Sequence, residues 1–174
     1  MRFIKLLFIL LTLFTLTGCL DDLTSDSKDK RSDTSTGGDN AAPALDFTEL
    51  STENETIQLS SELLNHDAVV LYYTMWCPLC DSHMTHMRSN IIDNYSNVRF
   101  LMVDYVSGTV SQSRSSQVSN GYASLTVLAD TDQSLVDQFN ATMGTTVVID
   151  DQNNILMNED YKNGTRLIDV LEAL

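Results

Sequence analysis

The stretch AVVLYYT at 68–74 runs without a charge straight into MWCPLC at 75–80. It is apolar, β-branched and aromatic from end to end, with no alternation of polar residues. A strand that alternates can leave one face in water; this one cannot, so it belongs in the middle of a sheet covered on both faces. The segment that follows has helical spacing of its apolar residues. Buried strand, tight turn and helix form the repeating unit of an α/β sheet.

The rest of the chain fits that frame. VRFLMVDY (98–105), LTVLAD (125–130) and TTVVID (145–150) read as further strands, and NILMN (154–158) pairs with the last across the turn DQN. Helices are expected over 77–94, within 107–122 up to Gly121, over 131–140 starting at Thr131 or Asp132, and over 165–174 after Gly164. TIQL (56–59) suggests a short strand and SELLNH (61–66) a brief helix. From residue 68 onward the order is β-α-β-α-β-α-β-β-α. That order predicts an α/β fold with a central mixed β-sheet flanked by helices on both faces.

The first 43 residues are of another kind. Arg2 and Lys5 precede LLFILLTLFTL (6–16), shorter than the ~20 residues that span a bilayer comfortably. This is the pattern of a secretory signal over 1–18. It closes with LTGC, which resembles the bacterial lipoprotein lipobox; in that family the chain is cut before the cysteine and the thiol carries lipid. Cys19 is then the lipidation site, with an ordinary signal and a chance cysteine as the alternative. Residues 20–43, rich in Asp, Ser, Thr and Gly, cannot bury enough surface to order themselves and read as a tether. The folded domain is expected over 44–174. Once Arg2 and Lys5 are removed with the signal, 8 of the chain's 10 basic residues face all 24 acidic ones. Such a surface repels phosphate backbones, which argues against nucleic-acid binding. It repels anionic headgroups too, so membrane attachment falls to the lipid.

With Cys19 lipidated, Cys77 and Cys80 remain as a pair. Placed at the start of a helix, the Cys77 sulfur sits beside unpaired N–H groups and the positive end of the helix dipole, which favours the thiolate. Pro78 suits the first helical position, where its missing N–H has no partner to lose. Cys80, one turn on, can resolve a mixed disulfide at Cys77. At about 100° per residue, Cys80, Met84, Met87 and Ile91 share one face, while Asp81, Thr85 and Arg88 point to solvent. An exposed nucleophile above a buried resolving thiol follows.

Two other uses of the thiols are open. Cys77, Cys80, His83 and His86 form C-x-x-C-x-x-H-x-x-H, but on one helix the ends lie about 13.5 Å apart, too far for one tetrahedral ion. A smaller copper site on Cys77, Cys80 and His83 survives that test. A purely structural disulfide closes so small a loop that its entropic gain is slight. His86 is expected to face solvent, and His66 to lie at a helix end or in a loop.

These residues resemble the thioredoxin superfamily, most closely the membrane-anchored thiol–disulfide oxidoreductases of the TlpA/ResA type within the AhpC/TSA–redoxin group. The similarity spans about 45–174. It is carried by VVLYYT, by MWCPLC with its helix, and by VRFLMVDY, LTVLADTDQSLVDQFN and TTVVIDDQNNIL in that order. It implies a thioredoxin-like fold, Cys77 as nucleophile, Cys80 as resolving cysteine and Trp76 as flanking aromatic. It implies exchange with protein thiols and disulfides outside the cytoplasm, fed by an upstream redox partner, with no bound cofactor and no resident metal. A copper-binding chaperone or sensor on the same thiols is the alternative, and a peroxide-reducing redoxin a weaker one. Leu20, rather than an aspartate, follows the lipidated cysteine, which favours the outer membrane within the cell envelope.

The chain departs from the family at three places. The family sets a cis-proline before its next-to-last strand, facing the thiols; here Gly144 or Thr145 stands there, and the loop is expected beside Cys77. Where relatives often carry a glutamate, this chain has His83, either exposed or close enough to exchange protons with Cys80. The family's buried acid in the preceding strand has no counterpart in AVVLYYT.

Overall fold

In a computed structural model, residues 43–174 are described; the expected signal, Cys19 and most of the tether lie outside them. The elements are β1 (Thr48–Leu50), β2 (Thr56–Gln58), α1 (Leu59–Leu63), β3 (Ala68–Thr74), α2 (Pro78–Asn90), β4 (Val98–Asp104), α3 (Val110–Ser119), β5 (Val127–Ala129), α4 (Ser134–Phe139), β6 (Thr145–Asp150), β7 (Ile155–Asp160) and α5 (Thr165–Leu171). A 3₁₀ turn, Ile92–Asn94, follows α2.

Five strands form a mixed sheet in the order β5-β4-β3-β6-β7. β3 pairs parallel with β4 and antiparallel with β6; β4 and β5 are parallel, β6 and β7 antiparallel. Every residue of β3 is buried, as its uninterrupted apolar run requires. The side chains of β3 point alternately to two separate cores. Val70 and Tyr72 join Met84, Met87, Ile91 and Leu167 on one face, whereas Val69, Leu71 and Tyr73 join Leu59, Leu135 and Phe139 on the other.

β1 and β2 make a small separate sheet, of which β1 was not foreseen. Its turn closes on the edge of the large sheet: Ser51 bridges Leu128, and the Thr52 N–H donates to the Val127 carbonyl (2.8 Å). At the opposite edge Pro43 bridges Asn154.

Some boundaries differ from expectation. α2 ends at Asn90 rather than Asn94, because Ile91 leaves helical geometry (φ −125°) to bury its side chain. α4 begins at Ser134, three residues late: the Asp130 carboxylate accepts from the backbone N–H groups of Leu135 and Val136 and sets the start of the helix. β7 continues to Asp160, two residues past the apolar pattern, since its backbone still pairs with Thr145 and Thr146.

Candidate active site

β3 ends at Thr74, and the chain must reverse within three residues to start α2. Trp76 makes the reversal with φ +59°, a left-handed conformation costing a non-glycine residue about 1–2 kcal/mol. Two hydrogen bonds hold it: the Trp76 N–H donates to Thr74 Oγ1 (3.2 Å), and the indole Nε1–H to Asp104 Oδ2 (2.8 Å). Asp104 ends β4 in register with Thr74 and is wholly buried. Its Oδ1 accepts from the N–H groups of Val106 and Ser107, both at 3.1 Å. One carboxylate thus ties the Trp76 turn to the loop after β4.

The reversal leaves Cys77 as the N-cap of α2, with Pro78 in its first turn. Cys77 Sγ accepts from the Cys80 N–H (3.2 Å) and lies 2.7 Å from Cys80 Sγ. Both thiols are free; Cys77 is half-buried and Cys80 has no exposed surface. Met84, Met87 and Ile91 are buried beside Cys80, while Asp81, Thr85 and Arg88 are exposed.

Environment separates the two sulfurs. Burial pushes the Cys77 thiol up, but hydrogen bonds from the Cys80 thiol and from the N–H groups of Cys80 and Leu79 outweigh it, holding Cys77 below the usual thiol value. Burial pushes Cys80 up, and its hydrogen bond to Cys77 adds to the rise. Cys77 is the sulfur that ionises first.

His83 is not exposed: it keeps 8% of its surface and lies between two tyrosines. Its Nδ1 is 3.0 Å from the Tyr72 hydroxyl, and its ring centre 4.8 Å from that of Tyr161. Burial holds its pKa below the ordinary histidine value, against an opposing pull from Asp160. His86 was expected in solvent but is half-buried, with Nδ1 2.6 Å from the Tyr161 hydroxyl. His66 lies just beyond α1, as expected, with Nδ1 2.9 Å from the Glu62 carbonyl. The two helix histidines therefore direct Nδ1 to tyrosines rather than toward the thiols. Among the described residues, three acids, Glu49, Asp130 and Asp132, do come close enough to share an ion, but Asp130 is engaged at the start of α4.

Gly144 takes φ +85°, donates its N–H to the Tyr73 carbonyl (3.0 Å) and accepts from the Tyr161 N–H (2.7 Å). A Cβ at this position would meet the His83 ring at 3.8 Å and no sulfur within 4 Å. The loop was expected beside Cys77; its Gly144 abuts His83, six residues further along the chain. The described peptide bonds are all trans. Thr145 is buried, and its Oγ1 accepts from the Thr142 N–H (2.9 Å).

Sequence reasoning passed over Asp104, Thr74, Tyr72 and Tyr161. Two of them carried a signal. Asp104 is an acid ending a strand that is apolar from Phe100 to Val103, and Tyr72 is a hydroxyl inside a wholly buried one; each had to find a partner.

A half-exposed, readily ionised cysteine capping a helix, over a buried partner thiol at the end of a central strand, is the working part of a thioredoxin-like thiol–disulfide oxidoreductase. The chain belongs to the AhpC/TSA family, whose model matches residues 40–157. No curated protein sequence matches it. Among solved structures, peroxidoxin BcpB from Mycobacterium tuberculosis is similar with a TM-score of 0.64 at 18% identity, over 77% of this chain and 96% of that one. The exposed lipoprotein thioredoxin Etrx1 from Streptococcus pneumoniae gives 0.61 at 19%, over 75% and 100%. A secreted disulfide oxidoreductase of M. tuberculosis, homologous to E. coli DsbE, gives 0.58 at 19%, over 74% and 96%. These likenesses establish the thioredoxin-like fold.

Proposed function

We propose that the chain is an extracytoplasmic disulfide reductase working through the Cys77-Pro-Leu-Cys80 pair, with a domain over 44–174 held to the cell envelope by lipid on Cys19. The observation that carries the reading is the contrast between the two thiols: Cys77 half-exposed and favoured as thiolate, Cys80 buried and disfavoured. The Cys77 thiolate attacks a partner's disulfide, forming a Cys77 mixed disulfide and expelling one partner thiolate. Cys80 loses its proton and attacks Cys77 Sγ. The second partner thiolate leaves and is protonated, and the protein holds a Cys77–Cys80 disulfide. An upstream dithiol donor restores the thiols.

Of the other site residues, Trp76 and Pro78 set the turn that holds the pair, His83 lies one turn beyond Cys80, and Gly144 and Thr145 carry the loop that rests on His83. LTGC at 16–19 and the likeness to an exposed lipoprotein thioredoxin and a secreted oxidoreductase support the location. Leu20 after Cys19 favours the outer membrane.

The test is insulin-type disulfide reduction by the wild-type, Cys77→Ser and Cys80→Ser proteins. Wild type turns over, Cys80→Ser accumulates mixed disulfides through Cys77, and Cys77→Ser does neither. Mixed disulfides forming mainly in Cys77→Ser would reverse the roles. Mass spectrometry of the mature N-terminus checks the anchor: any unlipidated terminus at a residue other than Cys19 removes it.

A further inference from the structure

Residues 43–174 carry eighteen carboxylates against five cations. Four of the cations are engaged: Arg99, Arg114 and Arg166 each sit 3.0 Å from a glutamate carboxylate, and Arg88 donates to the Gly121 carbonyl (3.0 Å) and lies over the Tyr122 ring (4.9 Å). The fifth, Lys162, follows Asp160 by two residues. Strand register shows how the acids stand relative to the thiols. Thr74, the last residue of β3, pairs with Asp104, and Asp104 with Ala129; Asp160 closes β7 against Thr145 at the start of β6. Asp104, Asp130 and Asp160 therefore share the end of the sheet from which the chain passes to Cys77. The loop after β5 adds the exposed Asp132, with one oxygen within 4.8 Å of Glu49 and of Asp130. Gln133 ties that loop to the one after β4 through the Tyr105 carbonyl (3.2 Å). On α2, the exposed Asp81 directly follows Cys80.

The middle of this face is apolar. Leu79 between the two cysteines, Met75 before Trp76, and Val106 in the loop that Asp104 ties to Trp76 are all exposed. We propose that this face is a docking surface for a cationic polypeptide, a client whose cystine lies among Lys or Arg side chains. This rests on the disulfide-exchange reading above and names the clients it takes. Lys and Arg lay an apolar stem along apolar surface while the charged head reaches outward. The stem can lie on Met75, Leu79 and Val106 while the head meets Asp81 or Asp132. A client rich in Asp and Glu meets like charge instead, and an uncharged one uses only the apolar middle.

Charge works here as a field. A surface dominated by one sign raises its encounter rate with partners of the other sign by about 10- to 1,000-fold, and salt screens the gain away. The same field turns aside partners of like sign. It reads no sequence: the client's cations need only lie near its cystine in space.

Three matched cystine peptides, carrying a pair of Lys, Ser or Glu residues beside the bridge, test the surface. Reduced protein is mixed with each in the absence of any donor, so the rate is that of thiol attack alone. Dividing each rate by that of 2-mercaptoethanol with the same peptide removes the peptide's own reactivity. At low salt the corrected rates should fall in the order Lys, Ser, Glu, with a Lys-to-Glu ratio of about 10 or more. In about 0.5 M NaCl the ratio should approach one. Asp81→Asn and Asp132→Asn keep the shape of the side chain and remove a charge. Each should lower the ratio about twofold, the effect of one charge pair some distance apart in water. Because the ratio is taken within each variant, a change in Cys77 reactivity cancels. A wild-type ratio near one at low salt, a ratio that salt leaves unmoved, or the Ser peptide reacting fastest overturns the docking surface. A ratio untouched in both variants overturns it too, since the preference would then arise elsewhere on the molecule. If the ratio behaves as expected while insulin is not reduced, the docking surface stands and the reductase reading falls; if insulin is reduced with no charge preference, the reverse holds.

Discussion

Replacing Asp104 by asparagine keeps the shape beneath the active site and removes one acceptor. The carboxylate receives three hydrogen bonds, one from the Trp76 indole and two from the backbone after β4. Bonds to a charged group contribute about 1.5–3 kcal/mol each, and neutral ones about 0.5–1.5. The asparagine oxygen can still serve Val106 and Ser107, more weakly. Its amide group then faces the indole N–H, donor against donor, so that bond is lost outright. Removing a fully buried charge returns some of its desolvation cost. The net loss should be about 2–4 kcal/mol. Trp76 should suffer most locally, because its left-handed backbone carries about 1–2 kcal/mol of strain that the indole bond helps offset. Trp76 is the chain's only tryptophan, so its fluorescence reports this turn alone. Urea unfolding of wild type and Asp104→Asn, followed by that emission, measures both effects. A loss under about 0.5 kcal/mol with unchanged native emission would falsify the claim that Asp104 holds the Trp76 turn.

Three further outcomes are expected. Gly144→Ala should cost about 1 kcal/mol for its φ of +85° alone, whereas Gly164→Ala should cost clearly more, since its Cβ would fall 2.7 Å from the Tyr161 hydroxyl and 2.9 Å from His86; denaturant midpoints rank them. Iodoacetamide should label Cys77 before Cys80, with a pH midpoint below the ordinary thiol value of 9.0; peptide mapping after a short pulse decides the order. The folded protein holds His83 neutral to a lower pH than the unfolded chain does, so the unfolded chain binds more protons below about 6.5. Unfolding free energy should therefore fall as pH drops through that window, and less so in His83→Gln.

The sequence was most legible where burial alone decides structure. AVVLYYT and TTVVID fold over the spans their composition predicts, since an uncharged β-branched run has one use in an α/β domain. The helix phase of Cys80, Met84, Met87 and Ile91 was equally plain. What escaped was set by partners far away in the chain. β1 has three residues and polar character, and exists because β2 and the edge of β5 receive it. His83 and His86 look like surface residues on the helix. They are drawn inward by Tyr72 and Tyr161, the latter 75 residues from His86. Asp104 becomes part of the site only because parallel pairing sets it beside Thr74.

The borders of the large sheet bear on how a partner can be held. Many proteins capture an extended peptide by adding it as one more strand along an open sheet edge. Here the β5 border is taken up by Ser51 and Thr52. The β7 border starts beside Pro43, which lacks a donor, and ends in Glu159 and Asp160. Charges and proline on an edge discourage pairing. If the proposed reductase function holds, a client's disulfide would then be gripped end-on, at the loops around Cys77, and the protein would select for an accessible cystine while demanding little of the sequence to either side.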